Sequence, residues 1–317
     1  MYRMDYDIKV GNYRLRLIDS VKVMRSVEQL SDTAQVVLPG TVFNRAIEVE
    51  DYLKVGDPVE IRLGYDGELE TEFKGYLKSI KTDDGSITLE CEDELYQWDK
   101  AVNDKEYKKV KLSALLEDVA SQIGSGYTVQ CDFDFTYDKF NTYRAKGLDV
   151  LKKIQEETKA NIWFDGQTLH VQSQYAQASG QTVMFDFAKN IESSDLKYRK
   201  ASDRNVEVEV SFTNEKGEIK TKKYGNPGGL SIKKEAFGVP EDGLQAIAEN
   251  EYNLWCYDGY EGSFTGWLVP FVKPTDAVSL HDADYEYKDG TYYVIGTELS
   301  FSKDGGKRTL KLGRRIG

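Results

Sequence analysis

Histidine is scarce in this sequence, and its scarcity limits the catalytic chemistry that the chain can support. Of 317 residues, only His170 and His281 are histidines. A Ser-His-Asp or Cys-His site requires a histidine that acts as general base beside its nucleophile. Both histidines lie in short segments typical of β-strands, 169–171 and 280–282. We therefore predict that each is an ordinary strand residue, that the protein is not an enzyme, and that it has no catalytic residues.

Carboxylates are abundant, and two of them could in principle form a glycoside hydrolase pair. The sequence contains 54 Asp and Glu against 42 Lys and Arg, and short acidic clusters lie at 90–94 and 282–286. Because so many acids produce pairs by chance, we interpret these clusters as solvated surface. Calcium binding at Asp282, Asp284 and Glu286 is a weaker alternative, since the segment lacks the glycine and the length of an EF-hand loop.

No pattern for a phosphate, a metal or a cofactor is present. Gly305-Gly306-Lys307 lacks the glycine spacing of a phosphate-binding loop. Cys91, Cys131 and Cys256 are far apart and show no CxxC spacing, so neither a disulfide framework nor a zinc site is indicated. We predict no metal, no cofactor, and buried thiols in a chain that folds in a reducing cytoplasm.

The charge and the apolar runs exclude two classes of partner. The net charge of −12 argues against stable binding to nucleic acid, and its simplest explanation is solubility. Nowhere do 18 consecutive apolar residues occur, and residues 1–10 lack the features of a signal peptide. We expect no membrane span and no secretion signal.

Aromatic and basic side chains in the last third of the sequence each allow two interpretations. The aromatic clusters are Tyr257, Tyr260, Phe264 and Trp267, and Tyr285, Tyr287, Tyr292 and Tyr293. They form either a sugar-binding platform or, more commonly for such residues, core and subunit interface. The basic group is Lys303, Lys307, Arg308, Lys311, Arg314 and Arg315. It either contacts a neighbouring acidic surface or protects a solvated strand edge.

The first hundred residues alternate apolar and polar side chains with the period of half-buried strands. The alternating segments are 8–10, 13–17, 21–23, 34–38, 59–65, 69–80 and 87–91. Turn residues separate them at Gly11-Asn12, Asp66-Gly67 and Asp83-Asp84-Gly85. So dense a run of hairpins predicts an antiparallel sheet that hides its edges by curling into a barrel.

The period changes to that of helices after residue 105. One helical stripe comprises Leu112, Leu115, Leu116, Val119 and Ile123, with Gly124 as its end. A second stripe comprises Leu148, Leu151, Ile154 and Thr158, and strands are predicted at 129–133, 162–164 and 169–171. Later strands are predicted at 206–210, 264–269, 278–280, 292–301 and 308–312, with a hairpin at 214–217. A third helix should start at 240–242 and bury Leu244, Ile247, Ala248, Tyr252 and Trp255.

These patterns divide the chain into three predicted domains. Residues 1–104 form a first β-barrel, residues 105–178 an inserted α+β domain, and residues 179–317 a second β-barrel with one helix. The fold class is therefore mainly β with an α+β insertion.

An internal repeat supports the two-barrel prediction. Phe73–Ile80 can be laid over Val294–Phe301 at an offset of 221 residues, and the same offset pairs Leu89 with Leu310. Chance similarity between glycine-bounded hairpins is the alternative. The repeat indicates two hairpins of one design, but by itself it names no function.

Four segments carry a resemblance to a known family. They are Val27–Pro39 (VEQLSDTAQVVLP), Val55–Gly75 (VGDPVEIRLGYDGELETEFKG), Thr158–Val171 (TKANIWFDGQTLHV) and Gly262–Leu280 (GSFTGWLVPFVKPTDAVSL). In their order and spacing they resemble the baseplate hub proteins of contractile phage tails, the late control protein D family. This family is related to the hub half of type VI secretion spike proteins. The resemblance spans nearly the whole chain.

The resemblance implies a homotrimer in which each chain supplies two tail-tube-like antiparallel barrels flanking the small α+β domain. Six barrels would form a pseudo-sixfold ring that adapts a hexameric tail tube to a trimeric spike. Implied partners are further copies of this chain, the tube or a tube adaptor, a trimeric spike protein and baseplate wedge proteins, with DNA only in transit. The implied location is the virion tail baseplate, or a phage-derived contractile particle, assembled in the bacterial cytoplasm.

The repeat also predicts where neighbouring chains meet. The candidate strands are Leu69–Ile80 and Tyr292–Phe301, with interface residues Phe73, Tyr76, Ile80, Tyr292, Val294, Leu299 and Phe301. The alternative to a hub is a carbohydrate- or receptor-binding module at a phage tail tip, which would use the aromatic clusters.

Overall fold

The structure is a computed structural model, and it forms two compact units. It describes residues 3–42, 45–46, 49, 51–83, 85–133, 135–158, 160–172, 178, 180–213, 219–235 and 244–317. The first unit comprises Met1–Val183, Thr265–Asp276 and Val294–Lys311, and the second comprises Met184–Phe264, Ala277–Tyr293 and Leu312–Gly317. The predicted hairpin at 214–217, helix start at 240–242 and central turn residue Asp84 lie outside the described residues.

Strands dominate the first 183 residues. They are β1 (Met4–Val10), β2 (Tyr13–Leu15), β3 (Ser20–Ser26), β4 (Thr33–Pro39), β5 (Thr41–Val42), β6 (Arg45–Ala46), β7 (Pro58–Tyr65), β8 (Glu68–Asp83), β9 (Ser86–Glu92), β10 (Glu106–Lys111), β11 (Thr128–Cys131), β12 (Thr136–Asn141), β13 (Asn161–Asp165) and β14 (Thr168–Gln172). The helices of this part are α1 (Leu112–Ile123) and α2 (Gly147–Thr158), with a 3-10 turn at Glu94–Trp98.

Strands also dominate the chain from residue 182 onward. The strands are β15 (Thr182–Asp186), β16 (Ile191–Ser194), β17 (Lys197–Arg199), β18 (Val206–Thr213), β19 (Ile219–Gly225), β20 (Leu230–Glu235), β21 (Gly259–Glu261), β22 (Ser263–Trp267), β23 (Ala277–His281), β24 (Gly290–Ser302) and β25 (Gly305–Arg315). The helix is α3 (Leu244–Trp255), and 3-10 turns lie at Ala201–Asp203 and Glu286–Lys288.

A large antiparallel sheet organises the first unit. Within this unit its strands follow the order β25-β24-β3-β4-β9-β8-β7-β1-β2. The long strand β8 changes partner along its length, because residues 68–76 pair with β7 whereas residues 76–83 pair with β9. The β7–β8 turn has positive φ at both Asp66 (51°) and Gly67 (88°), as the two-residue turn predicted from the sequence requires.

Alternating side chains of this sheet form one hydrophobic core. Val21, Val36, Ile61 and Leu89 are buried with other inward-facing residues of the amino-terminal strands. Leu268, Leu299 and Phe301 belong to the same cluster. The core of the first unit is therefore completed by residues close to the carboxyl terminus.

A second core lies in the α+β part of the first unit. It contains the predicted stripe of α1, and all five of those side chains are buried. In α2 the fully buried residues are Gly147, Val150, Leu151 and Ile154. The predicted Leu151 and Ile154 are thus buried, whereas Leu148 is partly buried against the same core and Thr158 is half-buried. Gly147 packs close to Trp98 and Ile123.

The second unit combines a small sheet with α3. Strand β18 lies between β19, its antiparallel neighbour, and β20, its parallel neighbour. Val206, Val208 and Val210 of β18 pack with Leu244 and Ala248 of α3. The predicted third helix is thus present from Leu244, and the chain is already in strand β21 at Gly259.

The coarse fold prediction is confirmed, since the protein is mainly β with a large antiparallel sheet and few helices. The compact units differ from the three contiguous domains predicted with boundaries at residues 104 and 178. Residues 1–183 lie in one unit, and two later segments join them. The helices predicted at 112–123 and 148–158 coincide with α1 and α2.

Candidate functional site

Five of the seven predicted interface residues are buried inside the chain. They are Phe73, Tyr292, Val294, Leu299 and Phe301, each at most 4% exposed. Their side chains contribute to packing within the chain. Tyr76 and Ile80 are half-buried. That their strands face a neighbouring chain stays a prediction.

The most deeply buried ion pair among the described residues is one that the sequence does not indicate. Arg308 of β25 and Glu72 of β8 have side chains that are 2% and 1% exposed. The pair is bidentate, with Arg308 Nη2 to Glu72 Oε1 at 2.7 Å and Nη1 to Oε2 at 3.1 Å. The carbonyl oxygens of Leu268 and Val272 also accept from the guanidinium, each at 3.2 Å. The prediction that Arg308 belongs to an exposed basic group is wrong.

A β-bulge places Glu72 for this role. The register of the β7–β8 ladder shifts between Ile61, which faces Phe73, and Arg62, which faces Thr71. Glu72 is therefore the extra residue on β8, and it turns inward beside Phe73. Bulges commonly redirect one side chain in this way.

The buried Asp93 and the half-buried Asp32 lie together just beyond the end of β9. Asp93 Oδ2 accepts from the Asp32 backbone N–H at 2.9 Å, and Asp93 Oδ1 accepts from Leu95 N–H at 3.0 Å. Burial, with the negative charge of Asp32 nearby, raises the pKa of Asp93 to about 8. Burial also raises the pKa of Asp32, although Arg25 Nε donates to its Oδ2 at 3.0 Å and opposes the shift. The expectation that cluster 90–94 is solvated surface is wrong at Asp93.

Glu94 connects this end of the sheet to the α+β part. Its Oε1 accepts from the Tyr127 hydroxyl at 2.6 Å and its Oε2 from the Tyr76 hydroxyl at 3.3 Å. Burial raises the pKa of Glu94, and the two tyrosine hydrogen bonds oppose that rise. Tyr76 also stacks on Tyr96, with ring centroids 5.6 Å apart. These contacts fix the point at which β8 changes partner.

A cavity of about 740 Å³ lies beside these groups. Its walls include Glu70–Tyr76 of β8, Asp32, Asp93, the hairpin tip Phe164–Gly166 and Lys273. Lys273 Nζ lies 3.5 Å from Asp165 Oδ2 across this region. In the described ranges, no group of three or more His, Cys, Asp or Glu side chains is placed to hold a metal ion.

The two histidines lie in strands, as predicted. His170 of β14 stacks on Trp163 with ring centroids 5.0 Å apart, and burial lowers its pKa. His281 of β23 shares a hydrogen bond of 2.6 Å with Asp289, which raises the His281 pKa. Cys91 is buried and its pKa is raised to about 12, so its thiol is a poor nucleophile at neutral pH.

The acidic turn at 282–286 caps its own backbone. Asp282 Oδ1 accepts from the backbone N–H groups of Asp284 at 3.1 Å and Tyr285 at 3.2 Å. This use of the carboxylate is an Asx-type turn. It gives Asp282 a structural role in which its carboxylate binds the backbone of its own turn.

The aromatic clusters do not form a flat platform. Tyr260, Phe264, Tyr292 and Tyr293 are buried. The exposed rings of Tyr285 and Tyr287 are nearly perpendicular, at 86°. Lys288 Nζ lies 3.9 Å from the Tyr285 ring centroid, which is a cation–π contact. Four of the eight rings are therefore core, and of the three exposed rings Tyr285 and Tyr287 already contact a lysine.

The fold belongs to a class represented by phage tail proteins. The 43 kDa tail protein of prophage MuSo2 from Shewanella oneidensis is similar over 98% of this chain and 98% of its own, with TM-score 0.65 and 14% identity. The tail protein from Neisseria meningitidis MC58 is similar over 99% of this chain and 97% of its own, with TM-score 0.65 and 15% identity. At such identities the likeness establishes the fold.

A secretion-system protein shares the fold more distantly. The E. coli c3393 protein, a component of the type VI secretion system with structural similarity to T4 bacteriophage tail proteins gp27 and gp5, has TM-score 0.56 and 8% identity. The match covers 97% of this chain and 76% of that protein. No protein-family model matches the sequence, and comparison with curated proteins gives no match either. None of the helices in the described residues has the length and apolar character to cross a bilayer.

Proposed function

We propose that this protein is the non-enzymatic structural hub of a contractile tail baseplate. The observation that carries the proposal is the likeness to the Shewanella and Neisseria tail proteins over nearly the full length of both chains. A likeness this complete extends over both compact units, and not over one widely distributed module. The similarity to a type VI secretion component supports the same assignment.

The proposed assembly is a homotrimer. Each chain contributes two tail-tube-like barrels, so that three chains present a pseudo-sixfold ring to a hexameric tube and true threefold symmetry to a spike. The internal repeat lies in the long hairpins β8–β9 and β24–β25, and it supports two similar barrels in each chain. In both hairpins the equivalent residues Leu89 and Leu310 are fully buried.

The proposed partners follow from this position. They are the tail tube or its adaptor, a trimeric spike protein and wedge proteins, with DNA in transit through the channel. The proposed location is the tail baseplate of a virion or of a phage-derived particle, after assembly in the bacterial cytoplasm. Tyr76 and Ile80 remain candidate contacts between chains, because they are the two predicted interface side chains that are part exposed.

The test is the mass and shape of the purified protein. Light scattering should give three times the chain mass of 36.0 kDa. Negatively stained end-on views should show a threefold particle with six lobes around a hole. A monomer that binds one glycan specifically on an array would contradict the hub and favour a tail-tip binding module.

A further inference from the structure

The first half of β8 has a strand partner on one side only. Residues 68–76 pair with β7, whereas β9 pairs with 76–83. Strand β9 ends at Glu92, and the chain then turns into the 3-10 turn. Within the described part of the chain, no strand therefore lies on the second side of residues 68–75. Apart from Gly75, which the Glu92–Asp93 backbone approaches closely, these residues have no ladder partner on that side and can pair with a further strand.

The cavity described above lies along this strand. Its lining contains the continuous segment Glu70–Tyr76. Other walls come from the hairpin tip Phe164–Gly166, from Phe271 and Lys273, and from the neighbouring strand residues Pro58–Glu60. An extended segment of six residues is about 20 Å long, and a volume of about 740 Å³ lies within the range of ligand-binding clefts. The cavity can therefore receive a short extended segment.

Most of the charged side chains around the cavity form ion pairs, whereas Asp93 and Glu94 have hydrogen-bond partners instead. The pairs are Asp32 with Arg25, Glu60 with Lys74, Asp165 with Lys273, and Glu72 with Arg308. Glu70 is exposed and has no ion pair within the described residues. The aromatic ring of Phe271 gives the same cavity an apolar wall. These features complement a segment that carries both a cationic and an apolar side chain.

We infer that residues 70–75 of β8 are a docking edge for an extended segment of a partner protein in which basic and apolar side chains alternate. Docking by strand addition uses main-chain hydrogen bonds for affinity and alternate side chains for specificity. A basic side chain would lie near Glu70, and an apolar one near Phe271. Because several separate chain segments wall the cavity, a single inserted strand fits it better than the flat edge of another subunit.

The experiment selects peptides on the full-length protein from a synthetic library of sequences about eight residues long. Mass spectrometry identifies the retained peptides. We expect sequences with Lys or Arg at alternating positions to be enriched at least about fivefold over a bare support. Glu70→Lys should remove this enrichment. Glu68→Lys should preserve it, because Glu68 is an exposed glutamate of the same strand that does not line the cavity.

Hydrogen exchange then locates the bound peptide. The best retained peptide should protect the amides of residues 70–75. Absence of enrichment, equal enrichment on both variants, or protection confined to another region would overturn the inference. Loss of peptide binding when chains associate would assign the edge to a neighbouring copy, and would also overturn it. The inference does not depend on the proposed hub function, because the mass of the particle does not enter this experiment.

Discussion

Two opposite charges at the centre of the first unit neutralise each other. The Arg308 guanidinium and the Glu72 carboxylate are both almost completely buried, and two backbone carbonyls share the guanidinium. Such a pair contributes little net stability relative to apolar residues, but removal of one partner leaves an uncompensated buried charge. The pair therefore makes the fold sensitive to either single substitution.

Replacement of Arg308 by methionine should lower the free energy of unfolding by about 3–5 kcal/mol, because Glu72 remains buried without its partner. Urea denaturation followed by tryptophan fluorescence measures this loss. The control is Lys311→Met, which breaks an exposed pair with Glu28 whose side chains are 59% and 50% exposed. The control substitution should lower the free energy of unfolding by less than about 1 kcal/mol.

A double variant separates charge from packing. Glu72→Leu combined with Arg308→Met should be more stable than Arg308→Met alone, since no unpaired charge remains. If the single Arg308→Met variant were as stable as the Lys311→Met control, the buried pair would not have the role assigned to it.

The raised pKa of Asp93 makes stability depend on pH. The pKa rises from 3.8 to about 8 in the folded protein, so the folded state keeps a proton that the unfolded chain releases. The associated stabilisation is complete below pH 3.8 and is lost as the pH rises through about 8. Between these values the free energy of unfolding should fall with increasing pH.

Asp93→Asn should flatten this dependence, because an amide does not titrate. Urea titrations from about pH 5 to pH 9 measure this dependence. Across that range the free energy of unfolding of the parent protein should fall by more than about 1 kcal/mol relative to that of the variant. Parallel pH profiles for the two proteins would show that Asp93 does not hold the extra proton.

Sequence reasoning misplaced both of these sites for one reason. Asp93 lies within an acidic run and Arg308 within a basic run, and such runs usually face solvent. Arg308 is buried because its partner Glu72 lies 236 positions away. Local composition contains no information about a partner so distant. The histidines were placed correctly because strand periodicity is local.

At the scale of elements, glycine permits the change of partner in β8. A Cβ atom on Gly75 would lie 2.2 Å from the carbonyl oxygen of Glu92 and 2.8 Å from Asp93 Cα. Gly296, at the equivalent position of the repeat, is less tightly enclosed, with the Arg25 carbonyl oxygen at 3.1 Å. The repeat therefore preserves a glycine where a neighbouring backbone approaches closely.

Gly75→Ala should destabilise the protein by more than about 1–3 kcal/mol, the usual cost of overpacking, because the obstructing atoms belong to the backbone. Gly296→Ala should cost less. Lys78→Ala, at an exposed position of the same strand, is the control. Thermal denaturation ranks the three variants by stability. An equal loss of stability in the two glycine variants would contradict the difference in enclosure.

The elements found from sequence are those with regular periods. Helix α1 was predicted with its bounds and its buried stripe, because five apolar residues recur at helical spacing. Strand β10 was not predicted. In that strand Lys109 has a positive φ of 47°, and the ladder to β12 passes from the Lys108–Lys139 pair to the Val110–Tyr137 pair. The irregularity interrupts the alternation on which strand prediction depends.

At the scale of the whole molecule, negative charge is concentrated at the amino-terminal end. Residues 1–104 contain 22 acidic and 13 basic side chains, whereas residues 105–178 contain 10 of each. Strand β19 is an exception to the overall acidity, with the exposed lysines Lys220, Lys222 and Lys223. The acidic balance disfavours lasting contact with a polyanion.

The protein should not retard duplex DNA in a gel-shift assay at about 0.15 M salt, because it lacks the excess of cations that displaces phosphate counterions. Transit of DNA through a channel requires weak contact of this kind. Retardation that disappears in a Lys222→Glu variant would contradict the expectation and would identify β19 as a nucleic-acid contact.

The division into compact units is the least predictable feature of the molecule. Periodicity identified strands but could not pair them across the chain. Strand β24 lies beside β3, with Phe301 opposite Val21 and Leu299 opposite Val23. Such pairing of distant segments joins late residues to an early core, and contiguous domain boundaries cannot represent it.

The Glu72–Arg308 pair also has a consequence for biosynthesis. A ribosome delivers the glutamate long before the arginine, and Leu299 and Phe301 are delivered almost as late. The early strands must therefore wait, with an uncompensated carboxylate and an incomplete apolar centre, until residue 308 has left the ribosome. A chain that stops before that residue would remain a substrate for chaperones and proteases.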